Sequence, residues 1–215
     1  MASLVGDVGN LIPRVAQTFD TVGSVIGFRR WARRVGVKAF FRTREKLWKK
    51  QVLPLVNSDE DLLIAEFGVA FGEAARWWLS RVKSPQLKYH GFDLFTGLPS
   101  DWRNLPAGAF DAGGQVPELD DARARWHVGD ASQTVNDVDW ESFGGMKFIN
   151  FDLDLFKPSL DVWQRISPTL RSGDILYFDE AFDADERVLI NAVVLLEKQV
   201  EFLGASPFGL ALRIL

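Results

Sequence analysis

Residues 148–155 read FINFDLDL, an apolar run with Asn150, Asp152 and Asp154 at alternate positions. If the run stays extended, side chains of period two put these polar groups on one face and Phe151, Leu153 and Leu155 on the other. Two carboxylates at the end of a buried strand are costly unless a proton or a cation shares the site. A second acidic pair, Asp179 and Glu180, closes the run DILYFDE at 174–180. Neighbouring strands lie about 4.8 Å apart, so Asp152, Asp154, Asp179 and Glu180 would form an all-oxygen cluster suited to Mg²⁺ or another hard divalent ion. The alternative is that one acid caps the following helix, one binds a ligand's ammonium group and the others face solvent.

Three earlier segments end in comparable residues. EFGVAFGE places Glu66, Gly68 and Gly72 at a strand-to-helix turn. Glycine there lets the backbone approach a ligand, and a helix N-terminus attracts an anionic group; a merely tight turn would need the same glycines. LKYHGFD ends in Asp93, twenty-one residues beyond Gly72, where dinucleotide-binding folds place the acid that accepts the ribose hydroxyls. Asp130 follows in VGDAS. A nucleoside ligand would use these three ends. His90 and His127 each fall inside an expected strand and read as structural histidines.

Such residues are brought together by strands alternating with helices. Strands are expected at 62–68, 87–93, 124–130, 146–152 and 174–180. Helices are expected at about 72–83, after Asp130, after Asp152 with Pro158 in the first turn, and at 184–199. This alternation predicts an α/β, Rossmann-like fold: a mostly parallel sheet, helices on both faces, and ligands beyond the carboxyl ends of the strands. The tail VEFLGASPFGLALRIL reads as two strands about Ser206-Pro207, an antiparallel C-terminal hairpin, because a tight turn cannot make a parallel crossover. That makes seven strands. The long segment 94–120, with Trp102 and Phe110, suits a lid or an aromatic-packed surface loop. Residues 9–55 read as two or three helices, broken near Gly23 to Gly27 and at Gly36 and ended at Pro54. The expected division is a helical basic N-terminal extension over 1–58 and a ligand-binding domain over 59–215.

The 215 residues, 47% hydrophobic and 25% charged, suit one domain with a sizeable core. The absence of cysteine excludes disulfides, zinc–thiolate sites and cysteine nucleophiles. Asp7 and Arg14 argue against a signal peptide, and no run of about 18 apolar residues occurs, so a cytoplasmic protein is expected. The net charge of −4 hides an asymmetry, since residues 29–50 hold ten Lys or Arg and one acid. The rest of the chain carries fifteen basic and twenty-eight acidic residues, a balance of −13. The block, with Trp31, Phe40, Phe41 and Trp48, suits a basic helix face docked on an acidic body or a peripheral contact with an anionic membrane. No nucleic-acid motif accompanies it, so no nucleic-acid partner is expected. The oligomeric state is left open, a homo-oligomer included.

The segments EFGVAFGEA, GFDLFTGLPSDW, GAFDAGG, VGD, FDLDLFKPS and LRSGDILYFDE follow one another over about 62–180. In this order they resemble the macrocin O-methyltransferase family, class I S-adenosylmethionine-dependent enzymes acting mostly on sugar hydroxyls of natural products. The resemblance implies that Glu66, Gly68 and Gly72 hold the methionine end, Asp93 the ribose, and Asp130 with Ala131 the adenine. It also implies Mg²⁺ on Asp152, Asp179 and Glu180, with Asp152 beside the cofactor and Asp154 as general base. Glu180 stands where the family usually has a second aspartate, and Phe156 where it has tyrosine. The expected activity is methyl transfer to a small-molecule hydroxyl, on a sugar or glycosylated natural product. The alternatives are an NAD-dependent oxidoreductase, since Asp93 would serve NAD equally, and a non-catalytic scaffold of the same fold.

Overall fold

The computed structural model describes residues 21–57 and 61–215. The part of the expected first helix before residue 21 lies outside the described residues. Helix α1 runs through 21–35 without a break at Gly23 or Gly27. Burial of Phe28 and Ala32, one turn apart on its inner face, offsets the low helix propensity of glycine. Gly36, at φ +106°, ends it. Helix α2 (Arg44–Leu47), a π-helical turn (Trp48–Val52) and α3 (Leu53–Val56) then follow without interruption. Pro54 therefore does not end the helix. It sits in the first turn of α3, and the wider π-turn ahead of it absorbs the missing N–H and the ring clash one turn back.

From there the chain alternates through β1 (Leu62–Phe67), α4 (Glu73–Leu79), β2 (Lys88–Asp93), β3 (Ala124–Val128), α5 (Ala131–Thr134), β4 (Met146–Phe151), α6 (Phe156–Ile166) and β5 (Ile175–Phe178). Helices α7 (Ala184–Leu189) and α8 (Leu195–Glu197), joined by a second π-turn, lead to β6 (Val200–Ala205) and β7 (Leu210–Ile214). The seven strands lie in the order β3-β2-β1-β4-β5-β7-β6. The first five are mutually parallel, and β7 is antiparallel to both β5 and β6. This is the expected Rossmann-like, mostly parallel seven-stranded sheet with antiparallel C-terminal strands. β1 is buried along its whole length, which is why it reads as an unbroken apolar run.

Each face of the sheet carries a core. One joins Phe28 and Ala32 of α1 to Val162, Trp163 and Ile166 of α6. The other joins Leu47, Trp48, Val52 and Val56 to Ala75 and Trp78 of α4. The N-terminal helices thus pack into the same two cores as the strands. Phe41 and Ala39 also exchange backbone hydrogen bonds with Ala205, of 2.8 and 2.9 Å.

The register aligns the strand ends. Phe67 pairs with Phe92 and Phe151, and Phe151 with Phe178. Their rings form a row across one face, with centroids 4.5, 6.0 and 4.9 Å apart. Gly68, Asp152 and Asp179 therefore leave the sheet at one level, beside Asp93, the last residue of β2. Backbone bonds hold that level: Gly68 donates to the Phe92 carbonyl (2.9 Å), Asp152 to Phe67 (2.8 Å) and Asp179 to Phe151 (3.0 Å).

Candidate active site

The aligned ends open into a cavity of about 590 Å³. It is lined by Glu66, Gly68, Asp93, Asp130, Ala131, Asp152, Asp154, Asp179 and Glu180, which the sequence reading had selected from five separate segments. Gly72 is not among the lining residues. It precedes α4 at φ +77°, and a side chain there would meet the Pro117 ring at 2.7 Å, so it serves loop packing rather than ligand approach. Gly68 is also required by the protein itself: a Cβ on it would lie 1.8 Å from the Asp152 carbonyl oxygen.

The individual acids are held differently. Glu66 is buried and accepts the Tyr89 hydroxyl proton in a short hydrogen bond; burial pushes its carboxyl up to about 8 despite that bond. Asp93 ties β2 to the first turn, Oδ2 accepting from the amides of Val69 and Ala70 (2.7 Å each) and Oδ1 from Phe95 (2.6 Å). Its rotamer is thereby set before any ligand arrives. Asp130 caps α5 through the Ser132 amide at 2.9 Å. Asp154 does not share the extended face expected for it. β4 ends at Phe151, and Asp154 takes a left-handed backbone conformation, φ +63°, which aspartate tolerates better than most residues. That turn points a buried carboxyl into the cavity. Burial, then the charges of Asp179, Asp183 and Asp93, raises it to about 7.

The carboxylates do not assemble the expected Mg²⁺ set. Among the described residues no group of three or more His, Asp or Glu side chains is arranged to hold a metal ion. Asp179 has both oxygens engaged, Oδ1 by the Tyr177 hydroxyl at 2.8 Å and Oδ2 by Arg44 Nη1 at 2.6 Å. The same Arg44 nitrogen lies 3.8 Å from Asp152 Oδ2. Glu180 lines the cavity, but burial, then Asp179, Asp154 and Asp183, pushes its carboxyl up to about 9, toward the protonated form. Asp152 is raised in the same direction, by burial and then Asp179.

Arg44 is the site residue that sequence reasoning missed. It was one of ten basic residues in the 29–50 block, and only the acidic balance of the remaining chain hinted that one of them would be drawn inward. The block's aromatic residues also turn inward: Trp48 is buried against Trp77, Trp78 and Tyr177, and Trp31, Phe40 and Phe41 pack on the cores. Burial of Trp48 and partial burial of Trp31, Phe40 and Phe41 fit the reading of a basic helix face docked on an acidic body. No helix among the described residues is long and apolar enough to cross a membrane. His90 and His127 hydrogen-bond each other at 2.8 Å outside the cavity, and burial lowers His90 to about 4. The 94–120 segment is folded over the cavity by reciprocal turns, such as Leu98 donating to the Ala109 carbonyl at 2.8 Å. It contributes Leu94, Gly97, Leu98, Pro99 and Phe110 to the walls; Trp102 is not among the lining residues.

No protein-family model and no curated protein sequence matches this chain. Solved structures do. One is "CalS11, Calicheamicin Methyltransferase", at TM-score 0.58 and 24% identity over 78% of each chain; a second structure of CalS11 is titled as a TDP-rhamnose 3'-O-methyltransferase. The O-methyltransferase NovP matches at TM-score 0.56 and 16% identity over 79% of each chain. CmcI, in a structure titled with Mg and SAM, matches at TM-score 0.53 and 12% identity over 81% of this chain and 72% of that one. The chain therefore shares the fold of class I methyltransferases.

Proposed function

We propose that the protein is an S-adenosylmethionine-dependent O-methyltransferase whose acceptor is a small-molecule hydroxyl, on a sugar or a glycosylated natural product. The observation that carries this reading is that the ends of five strands meet in one cavity. Eight carboxyl side chains and, among the described lining residues, one cation surround it. An acid-rich cleft concentrates a cationic ligand, and S-adenosylmethionine carries both a sulfonium and an ammonium. The likeness to NovP and CalS11, whose titles name methyl transfer, supports the same reading.

S-adenosylmethionine supplies an already activated methyl group, so the protein's own tasks are to bind, orient and remove one proton. In this reading Glu66 and the Gly68 backbone hold the methionine end, Asp93 the ribose, and Asp130 with Ala131 the adenine. Asp152 faces the ligand's ammonium group. Asp154 takes the proton of the acceptor hydroxyl: its proton affinity near neutrality suits that exchange, and unlike Glu66 it is not tied to a tyrosine hydroxyl. Leu98, Pro99 and Phe110 give the outer part of the cavity apolar walls that exclude water from the acceptor.

Calorimetry and thermal shift with S-adenosylmethionine, S-adenosylhomocysteine and NAD⁺ test the cofactor assignment. Binding of the first two, with about 2.7 kcal/mol of stabilisation at a hundredfold excess over Kd, is the expected result. Binding of neither would sink the proposal, and binding of NAD⁺ alone would replace it with the oxidoreductase reading.

A further inference from the structure

We propose that Arg44 is a built-in counter-ion of the reaction-side carboxylates, occupying the place where a divalent metal would otherwise sit, so that the site does not take up Mg²⁺. The geometry excludes shared occupancy. A magnesium ion needs oxygen ligands converging at about 2.0–2.1 Å in near-octahedral geometry. Here Asp179 Oδ2 is already bonded to Arg44 Nη1 at 2.6 Å, and Asp179 Oδ1 is taken by the Tyr177 hydroxyl at 2.8 Å. The second expected ligand, Asp152, has Oδ2 3.8 Å from the same guanidinium nitrogen. One planar cation thus spans both carboxylates, and a metal would have to displace it.

The guanidinium is placed by the fold. Thr43 caps α2 by accepting the Lys46 amide at 3.3 Å, which fixes Arg44 in the first turn. The guanidinium carbon lies 5.1 Å from the Trp48 ring centroid, a cation–π contact on a buried tryptophan. Trp48 in turn packs edge-on against Tyr177, the residue that orients Asp179. Arginine, ring, phenol and carboxylate form one closed set, drawn from α2, the π-turn after it and β5. Arg44 also lies 3.7 Å from Glu73 at the start of α4. It touches the carboxylates rather than the reacting atoms and is therefore a positioning residue: it sets the geometry of Asp152 and Asp179 and lowers the cost of gathering acids beside a cationic methyl donor. Only the relation to a cationic methyl donor rests on the proposed methyl transfer; the exclusion of metal stands independently of it.

The test is a Mn²⁺ titration of the full chain followed by electron paramagnetic resonance, without S-adenosylmethionine, for the parent, Arg44→Met and Arg44→Lys proteins. Methionine keeps an unbranched apolar side chain beside Trp48 while removing the charge; lysine keeps the charge. The parent and Arg44→Lys proteins are expected to bind no Mn²⁺ at 1:1 stoichiometry in the range of about 1 mM. Arg44→Met is expected to gain a site that a further Asp179→Asn change removes. Stoichiometric Mn²⁺ binding by the parent that Asp179→Asn abolishes would overturn the inference, as would a folded Arg44→Met protein that gains no site. If Arg44→Met does not melt cooperatively, Arg44→Gln takes its place under the same two criteria. The S-adenosylmethionine titration is run separately, so a failed cofactor assignment remains distinguishable from a failed metal exclusion.

Discussion

Replacing Asp154 with asparagine is expected to lower turnover by about 10²- to 10⁴-fold, the usual contribution of a positioned general base, while S-adenosylmethionine binding stays within about threefold of the parent. Asparagine is the informative substitution because Asp154 sits at φ +63° and asparagine also accepts the left-handed conformation. The loss would then report chemistry rather than backbone strain. The pH dependence follows from the same group. Burial, then its acidic neighbours, raises Asp154 to about 7, so the ionised base is present above that pH and is lost as pH falls through it. In the parent, kcat/KM should rise with pH through about 7, since that ratio reports ionisations of the free enzyme. The limb should vanish in Asp154→Asn. A variant with parental turnover on a hydroxyl acceptor, or with the acidic limb unchanged, would remove Asp154 from the mechanism.

Gly68→Ala is expected to be the most damaging single methyl group near the site. Its Cβ would stand 1.8 Å from the Asp152 carbonyl oxygen and 2.6 Å from the carbonyl carbon, both backbone atoms. Neither can retreat easily, because the Asp152 amide is bonded to the Phe67 carbonyl at 2.8 Å and the Gly68 amide to Phe92 at 2.9 Å. Relief requires opening the β1–β4 ladder at the rung that aligns the site. The left-handed φ of +93° alone costs an alanine about 1–3 kcal/mol, and the overlap adds to it. At about 2–4 °C per kcal/mol for a chain of this size, calorimetry should show the melting midpoint lowered by about 10 °C or more, or no cooperative transition. Gly108→Ala is the control: its φ is +82°, but nothing lies within 4 Å of its Cβ. Equal losses at the two positions would show that backbone conformation, not the close approach to Asp152, sets the cost.

Much of the site was legible because the strands end alike. EFG, GFD, NFD and YFD each place a phenylalanine on an aligned rung and a glycine or aspartate directly after it. Parallel strands buried on both faces read as continuous apolar runs, so their ends stand out in one dimension. Glu66, Asp93, Asp130, Asp152, Asp154, Asp179 and Glu180 could therefore be collected before any coordinate was known, and all seven line one cavity. The reading went astray where local pattern ceased to govern conformation. Period-two alternation was carried past Phe151, although the chain turns there and Asp154 reaches the cavity from a left-handed residue. Gly72 looked like a ligand-facing glycine, but it lies under Pro117, forty-five residues downstream, a contact that no spacing rule encodes.

Local sequence by itself determined the order of strands and helices, the parallel sheet with its antiparallel end, and the line of acids along its carboxyl edge. Those features follow from side-chain periodicity and burial, which act between near neighbours in the chain. Tertiary structure alone decided what answers the acids. Arg44 meets Asp179 across 135 residues of sequence, carried there by Trp48 packing against Tyr177. Which of ten similar basic side chains is drawn inward depends on helix docking, and docking is a property of surfaces that exist only once the sheet has formed.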